Sequence, residues 1–279
     1  MNQLASALVI NKILVALDAS PHSLAALRAA ADLAARMDAE LIGLFVEDIA
    51  LLRLAEVSCA REVLYFTDTG VPLTRASMES KLRAQSEQVR KALKEAAQRA
   101  KVAWSFRRVR GKVASEVSAA AAGADLLALG RGGWSLGRRL RAGSTALEMA
   151  ASSFPLLLLP EHKLPDELHL VVYYDGSPAA QRGLLAAIGL ARAGMDGVTV
   201  LIGSEKDRDL LQAESRFGSN DILIRHVHFD AASTASLMAV LKMEEGGVLV
   251  LGSRRFLDRL PPLNIILRET RMPLLLLGN

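Results

Sequence analysis

The sequence predicts an α/β protein built from two tandem doubly wound parallel sheets, each of a five-stranded type, with the second domain shorter. Three observations carry this. Short apolar runs such as Lys12–Leu17 (KILVAL) and Leu156–Leu159 alternate with helical patterns throughout the 279 residues. Several runs are apolar at consecutive positions, as in strands covered on both faces. And the order of motifs starts again after residue 167.

In chain order, Lys12–Leu17 reads as a strand ending at Asp18, and Ser20-Pro21 opens a helix with an N-cap and a first-turn proline. Leu24, Leu27, Ala31 and Ala34 keep helical spacing as far as Met37. Glu40–Val46 is a second strand, and Glu47 to Gly70 follows neither period beyond a first helical turn. From Pro72 to Ala100, Met78, Leu82, Val89, Leu93 and Ala96 mark a long amphipathic helix whose outer face is densely charged. A sheet cover or a partner-binding surface both fit that helix. Trp104–Val109 (strand), Ala114–Ala122 (helix), Leu126–Leu129 (strand), Gly143–Ala151 (helix) and Leu156–Leu159 (strand) complete the first unit.

The repeat is explicit. Leu170–Pro178 (LVVYYDGSP) echoes Leu14–Pro21 (LVALDASP), with Asp175, Ser177 and Pro178 lying 157 residues after Asp18, Ser20 and Pro21. Val248–Gly252 follows Leu126–Gly130 by 122 residues, and Met272–Leu277 follows Phe154–Leu159 by 118. The shrinking offset removes most of the long-helix region from the second copy. It divides the chain into domains 1–160 and 167–279, joined near Pro160–Glu167. The leucine runs Leu156–Leu159 and Leu274–Leu277 are edges through which the two domains could pair within one chain.

Composition narrows the function classes. A content of 51% apolar and 23% charged residues is that of a globular chain. The net charge of +4 and 4% aromatics give no basic stretch with stacking rings, so nucleic acid is not expected as a partner. No apolar run reaches the ~20 residues of a membrane span. The N-terminal residues lack a basic segment before their apolar run, and the single Cys59 excludes an internal disulfide. A cytoplasmic protein with no membrane partner is the expectation. His226 and His228 share one face of a strand over Ile222–Phe229 but have no third ligand at metal spacing, so no metal site is assigned.

Chemistry concentrates in Leu126–Thr145 (LLALGRGGWSLGRRLRAGST). An apolar strand runs into glycines 130, 132, 133, 137 and 143, then Ser144 and Thr145 at a helix start. Arginines 131, 138, 139 and 141 lie among them, with no acid between Gly130 and Thr145. That layout presents backbone N–H groups and a helix N-terminus to an anion. No Ser-His-Asp arrangement, Walker lysine or paired carboxylates accompany it, so no catalytic residue is named; Glu47 is at most a nominal base.

Gly130, two residues, Gly133, nine residues, then Gly143-Ser144 resembles the nucleotide loop of the ATP-binding branch of the universal stress protein family. Asp18 with its Ser-Pro helix start, Phe45-Val46-Glu47, Ala124-Asp125-Leu126 and Pro155 fit the same family. The resemblance covers both halves and implies an adenine-nucleotide α-hydrolase-like fold and a stress-response regulatory protein that binds ATP or ADP, with Mg²⁺ as an accompanying ion. By this likeness Asp18 and the backbone of Val46 receive the adenosine, while Gly130, Arg131, Gly133, Gly143, Ser144 and Thr145 hold the phosphates. The loop departs from the family in reading Gly-Arg-Gly-Gly where a Ser-His-like pair is common, so Arg131 either clasps a phosphate or points to solvent. In the second copy Arg255 replaces the second glycine and Pro261-Pro262 stands at the matching helix start. Proline has no N–H to donate, so one working site, in the first domain, is expected. A weak ATPase or adenylyl-transfer enzyme and a nucleotide-free interaction module are the alternatives, and a homodimer of chains is left open.

Overall fold

The computed structural model describes residues 8–57, 61–62, 71–131, 149, 154–161, 164–165, 167–203, 222–230, 233–252, 266 and 269–278. Lys12–Leu17 forms β1, and Pro21–Met37 forms α1 behind an N-cap in which Ser20 Oγ accepts from Ser23 N–H. Such a cap stabilises a helix by roughly 1 kcal/mol. Glu40–Asp48 is β2, Ile49–Leu54 is α2, and Arg61–Glu62 and Val71–Pro72 pair as a small antiparallel ribbon, β3 and β4. The long helix α3 runs Arg75–Ala100 rather than from Pro72, because Thr74 caps it and exchanges a reciprocal capping box with Ser77.

Trp104–Gly111 is β5, Val113–Ala121 is α4, Leu126–Gly130 is β6 and Leu156–Leu159 is β7. The second half supplies β8 (Leu170–Tyr174), α5 (Pro178–Arg192), β9 (Val198–Ile202), β10 (Ile224–His228), α6 (Thr234–Met243), β11 (Val248–Leu251) and β12 (Leu274–Leu276). Strands β2 and β5 each run two residues beyond the ends expected from the apolar pattern. The reason is charge pairing across neighbours: Glu47 on β2 lies opposite Arg110 on β5 and accepts from its Nε at 2.8 Å.

Strand order in the main sheet is β10-β9-β8-β11-β12-β7-β6-β1-β2-β5. Within each half all neighbours are parallel and the chain order reverses beside its first strand, which is the doubly wound arrangement. The two expected sheets are one. β7 and β12, the leucine edges, pair antiparallel with Leu156, Leu157 and Leu158 opposite Leu276, Leu275 and Leu274. Closing these two edges on each other removes two exposed apolar strand edges at once.

Alternate strand residues face opposite helical layers. One core, under α1, α3 and α5, contains Ile13, Leu27, Phe45, Leu93, Leu157, Leu190 and Leu275, and so runs unbroken across both halves. The other lies under α4 and α6 and holds Leu44, Val117, Leu156, Leu241 and Leu276. Each such fully buried leucine or isoleucine contributes about 1.5–3 kcal/mol against exposure. Off the sheet, Arg36 of α1 donates to the Pro165 carbonyl (3.5 Å) and lies 3.8 Å from Asp196, further tying the halves together. Among the described residues no helix is long and apolar enough to cross a membrane.

Candidate functional site

The first half's switch point lies between β1 and β6, whose register pairs Ile13, Leu14 and Val15 with Leu126, Leu127 and Ala128. Beyond the carboxyl ends of strands at such a point is where open α/β sheets take ligands. Four residues singled out from the sequence converge there. Asp18 follows β1, Val46 lies near the end of β2, and Gly130 and Arg131 end β6. Gly133, Gly143, Ser144 and Thr145 lie outside the described residues, as do Arg138, Arg139, Arg141, Arg255, Pro261, Pro262 and Cys59.

Asp18 is exposed, and its Oδ1 accepts from Ser20 N–H at 3.0 Å, an Asx turn that aims the carboxylate over the helix start. The intervening Ala19 sits at φ 61, a left-handed conformation that disfavours L side chains. The second half repeats the turn, with Asp175 Oδ1 accepting from Ser177 N–H at 3.0 Å, but with Gly176 at φ 72 in place of alanine. Ala19→Gly is therefore expected to raise stability by about 1 kcal/mol in urea unfolding. A loss would show that the positive φ is not what strains this turn.

Gly130 has a packing reason as well as a position. A Cβ there would stand 2.9 Å from the His22 carbonyl oxygen, so the first turn of α1 lies directly on the end of β6. Gly252, its counterpart, is tighter still: a Cβ would fall 1.7 Å from Ala179 O. Both glycines let a helix N-terminus settle over the switch point.

Arg131 points neither to solvent nor along the strand ends. Its N–H donates to Leu159 O at 3.0 Å, and its Nη1 crosses to the Thr270 carbonyl of the second half at 2.8 Å. Burial lowers the pKa of its guanidinium to about 10, still well above neutrality, so the group remains a partly desolvated cation. Glu47 is buried and held by Arg110 (2.8 Å) and Arg108 (3.4 Å). Its hydrogen bond and charge raise the Arg110 pKa further.

The mouths of the two switch points differ. On the α4 side of the first half, the small aliphatic residues Ala16, Val46 and Val109 near the strand ends are partly buried against the core. In the second half Tyr173 stands 157 residues after Ala16 and Gly203 follows Ile202, the partner of Tyr174 as Phe45 is of Leu17. Phe229 follows His228 as Val109 follows Arg108. The rings of Tyr173 and Phe229 meet at 5.9 Å with a 52° tilt. Sequence reasoning passed over this pair, although aligning LVALD with VVYYD exposes the Ala16-to-Tyr173 exchange. Among the described residues no group of three or more His, Cys, Asp or Glu side chains is placed to hold a metal, His226 and His228 included.

Comparison with known proteins places this arrangement. Residues 10–52 match the family model described as the universal stress protein family. Over the whole chain, a universal stress protein from Archaeoglobus fulgidus DSM 4304 superposes with a TM-score of 0.68 at 17% identity, covering 96% of this chain and 98% of that one. A functionally unknown protein from Pseudomonas aeruginosa PAO1 superposes at 0.57 with 10% identity, covering 97% and 93%. At such identities the likeness shows the fold. No curated protein matches in sequence. The chain thus resembles the universal stress protein family in sequence over β1, α1 and β2, and is similar in fold to a universal stress protein over nearly its whole length.

Proposed function

We propose that this chain is a stress-response regulatory protein that binds ATP or ADP, with Mg²⁺ as an accompanying ion, at one site in its first domain (1–160). The second domain (167–279) is a degenerate copy that pairs with it. The observation that carries the reading is the unequal pair of mouths. Small aliphatic residues, Ala16, Val46 and Val109, stand at the first, whereas the Tyr173–Phe229 ring pair stands at the equivalent strand positions in the second. The exposed Asp18 carboxylate suits the ribose hydroxyls of an adenosine, and the backbone of Val46 suits its base. Gly130 opens the phosphate loop that Gly133, Gly143, Ser144 and Thr145 complete. In this reading Arg131 contributes a nearby positive charge, its backbone N–H being engaged by the Leu159 carbonyl and its Nη1 by that of Thr270.

A regulatory role is favoured over hydrolysis or adenylyl transfer by the position of Glu47, the only base nominated from the sequence. Its two carboxylate oxygens are engaged by Arg108 and Arg110 of β5 rather than by a described residue of the glycine loop. Calorimetric titration with ATP and ADP tests the site. Asp18→Asn keeps the turn acceptor and removes the charge, and should weaken binding about 10- to 100-fold, the worth of one charge-assisted hydrogen bond. Asp175→Asn should change nothing. Equal losses from both substitutions would refute a single site.

A further inference from the structure

We infer that the outer flank of α3, with the β5 edge beside it, docks an acidic segment of a protein partner. Between Arg75 and Lys112 the chain carries twelve Lys or Arg against three Glu, a net +9, while the whole chain is only +4. The remaining sequence is therefore net acidic, and the positive charge is concentrated in the α3–β5 stretch. α3 buries Leu82, Val89, Leu93, Ala96 and Ala97 on the sheet, so its apolar face is fully committed. Helical spacing then places Arg83, Arg90, Lys94 and Lys101 in one row along the exposed flank, about 27 Å from end to end. Exposed Arg108 and Arg110, which share the α3 face of β5 and also pair with Glu47, adjoin the row on the outermost strand of the sheet.

Elsewhere on α3, Arg75–Glu79 and Lys91–Glu95 are opposite charges four residues apart, the pairing that a solvated helix face gains from. Within the row, Arg90 and Lys94, four apart, carry the same sign, and Arg90 has one acid within reach, Glu87 at 3.2 Å. Among the described residues no acidic side chain lies in ion-pair range of Arg83, Lys94 or Lys101. Such a row is costly for the isolated chain and complementary to a rod of negative charge. Of the polyanions it could meet, an acidic peptide fits best. The flank presents no exposed aromatic ring for stacking on bases, and no large apolar side chain on its outer face for insertion into a lipid surface.

The test is fluorescence anisotropy of a labelled glutamate-rich peptide of about 20 residues, matched to the length of the row, added to the full chain at about 50 and 200 mM salt. Wild type should bind at the lower salt and weaken at least tenfold at the higher. Neutralising the row (R83Q/R90Q/K94Q/K101Q) should weaken low-salt binding at least tenfold. K94Q/K101Q should lie between, and R182Q/R192Q on α5 of the second half should stay within twofold. Circular dichroism verifies that each variant keeps its helix content. Unchanged peptide binding by the neutralised row would overturn the proposal, as would tighter binding of duplex DNA or phosphatidylserine vesicles than of the peptide. The proposal does not depend on nucleotide binding, and its failure leaves the first-half site untouched.

Discussion

Gly252→Ala is expected to be the most damaging single methyl group in the protein, costing on the order of 3 kcal/mol or more. The added Cβ would lie 1.7 Å from the Ala179 carbonyl and cannot be accommodated by a side-chain rotation, since the obstacle is backbone. The first turn of α5 has to lift from β11, and Gly183 one turn further along is itself only 3.1 Å, measured from a hypothetical Cβ, from Gly252 N. The first half provides the graded comparison. Ala26 stands where the second half has Gly183, α1 is held slightly further out, and the hypothetical contact at Gly130 relaxes to 2.9 Å. Gly130→Ala should therefore cost less, about 1–2 kcal/mol, while also displacing the helix start beside Asp18. Thermal unfolding reads both, at roughly 2–4 °C per kcal/mol for a chain of this size. A Gly252→Ala protein melting within a few degrees of wild type would show that α5 does not sit this close.

The second large effect is expected at the opposite end of the second half. Glu244 is 4% exposed, and Arg225 Nη2 donates to both of its carboxylate oxygens at 2.6 and 2.5 Å. His169 Nε2 lies 3.0 Å from the same carboxylate, and Arg225 also reaches Thr199 Oγ1 at 3.2 Å. The two members of the pair are unequally placed. Arg225 is more than half exposed and can turn to water if its partner is lost, whereas Glu244 cannot. Arg225→Ala strands a buried anion and should cost about 3 kcal/mol; Glu244→Gln should cost closer to 1 kcal/mol. Urea unfolding of the two variants distinguishes them, and the reverse order of costs would contradict this account of the cluster.

Much of the fold was legible because each signal was local. Ser20-Pro21 and Ser177-Pro178 cap their helices as their spacing implies, and the consecutive leucines of Leu156–Leu159 are buried on both faces as a central strand requires. The joining of the sheets was legible too, since two all-leucine edges in one chain have few other places to go. What was not legible depended on partners far away in sequence. The continuation of β2 to Asp48 needs Arg108 and Arg110, more than sixty residues on. The direction of Arg131 is set by a carbonyl 139 residues away, and the His169–Glu244–Arg225 cluster gathers residues from three separate parts of the chain. At the candidate site, strand ends were readable from periodicity, but the difference between small side chains at one mouth and a ring pair at the other required register. Only then do Ala16, Val46 and Val109 line up against Tyr173, Gly203 and Phe229.

That difference underlies the central claim, one nucleotide site in a duplicated protein. Native mass spectrometry of the full chain with ATP or ADP measures it most directly. One nucleotide per chain is expected, falling to none on Gly133→Arg, which copies Arg255 of the second half into the first. Two nucleotides per chain, or one retained after Gly133→Arg, would contradict it.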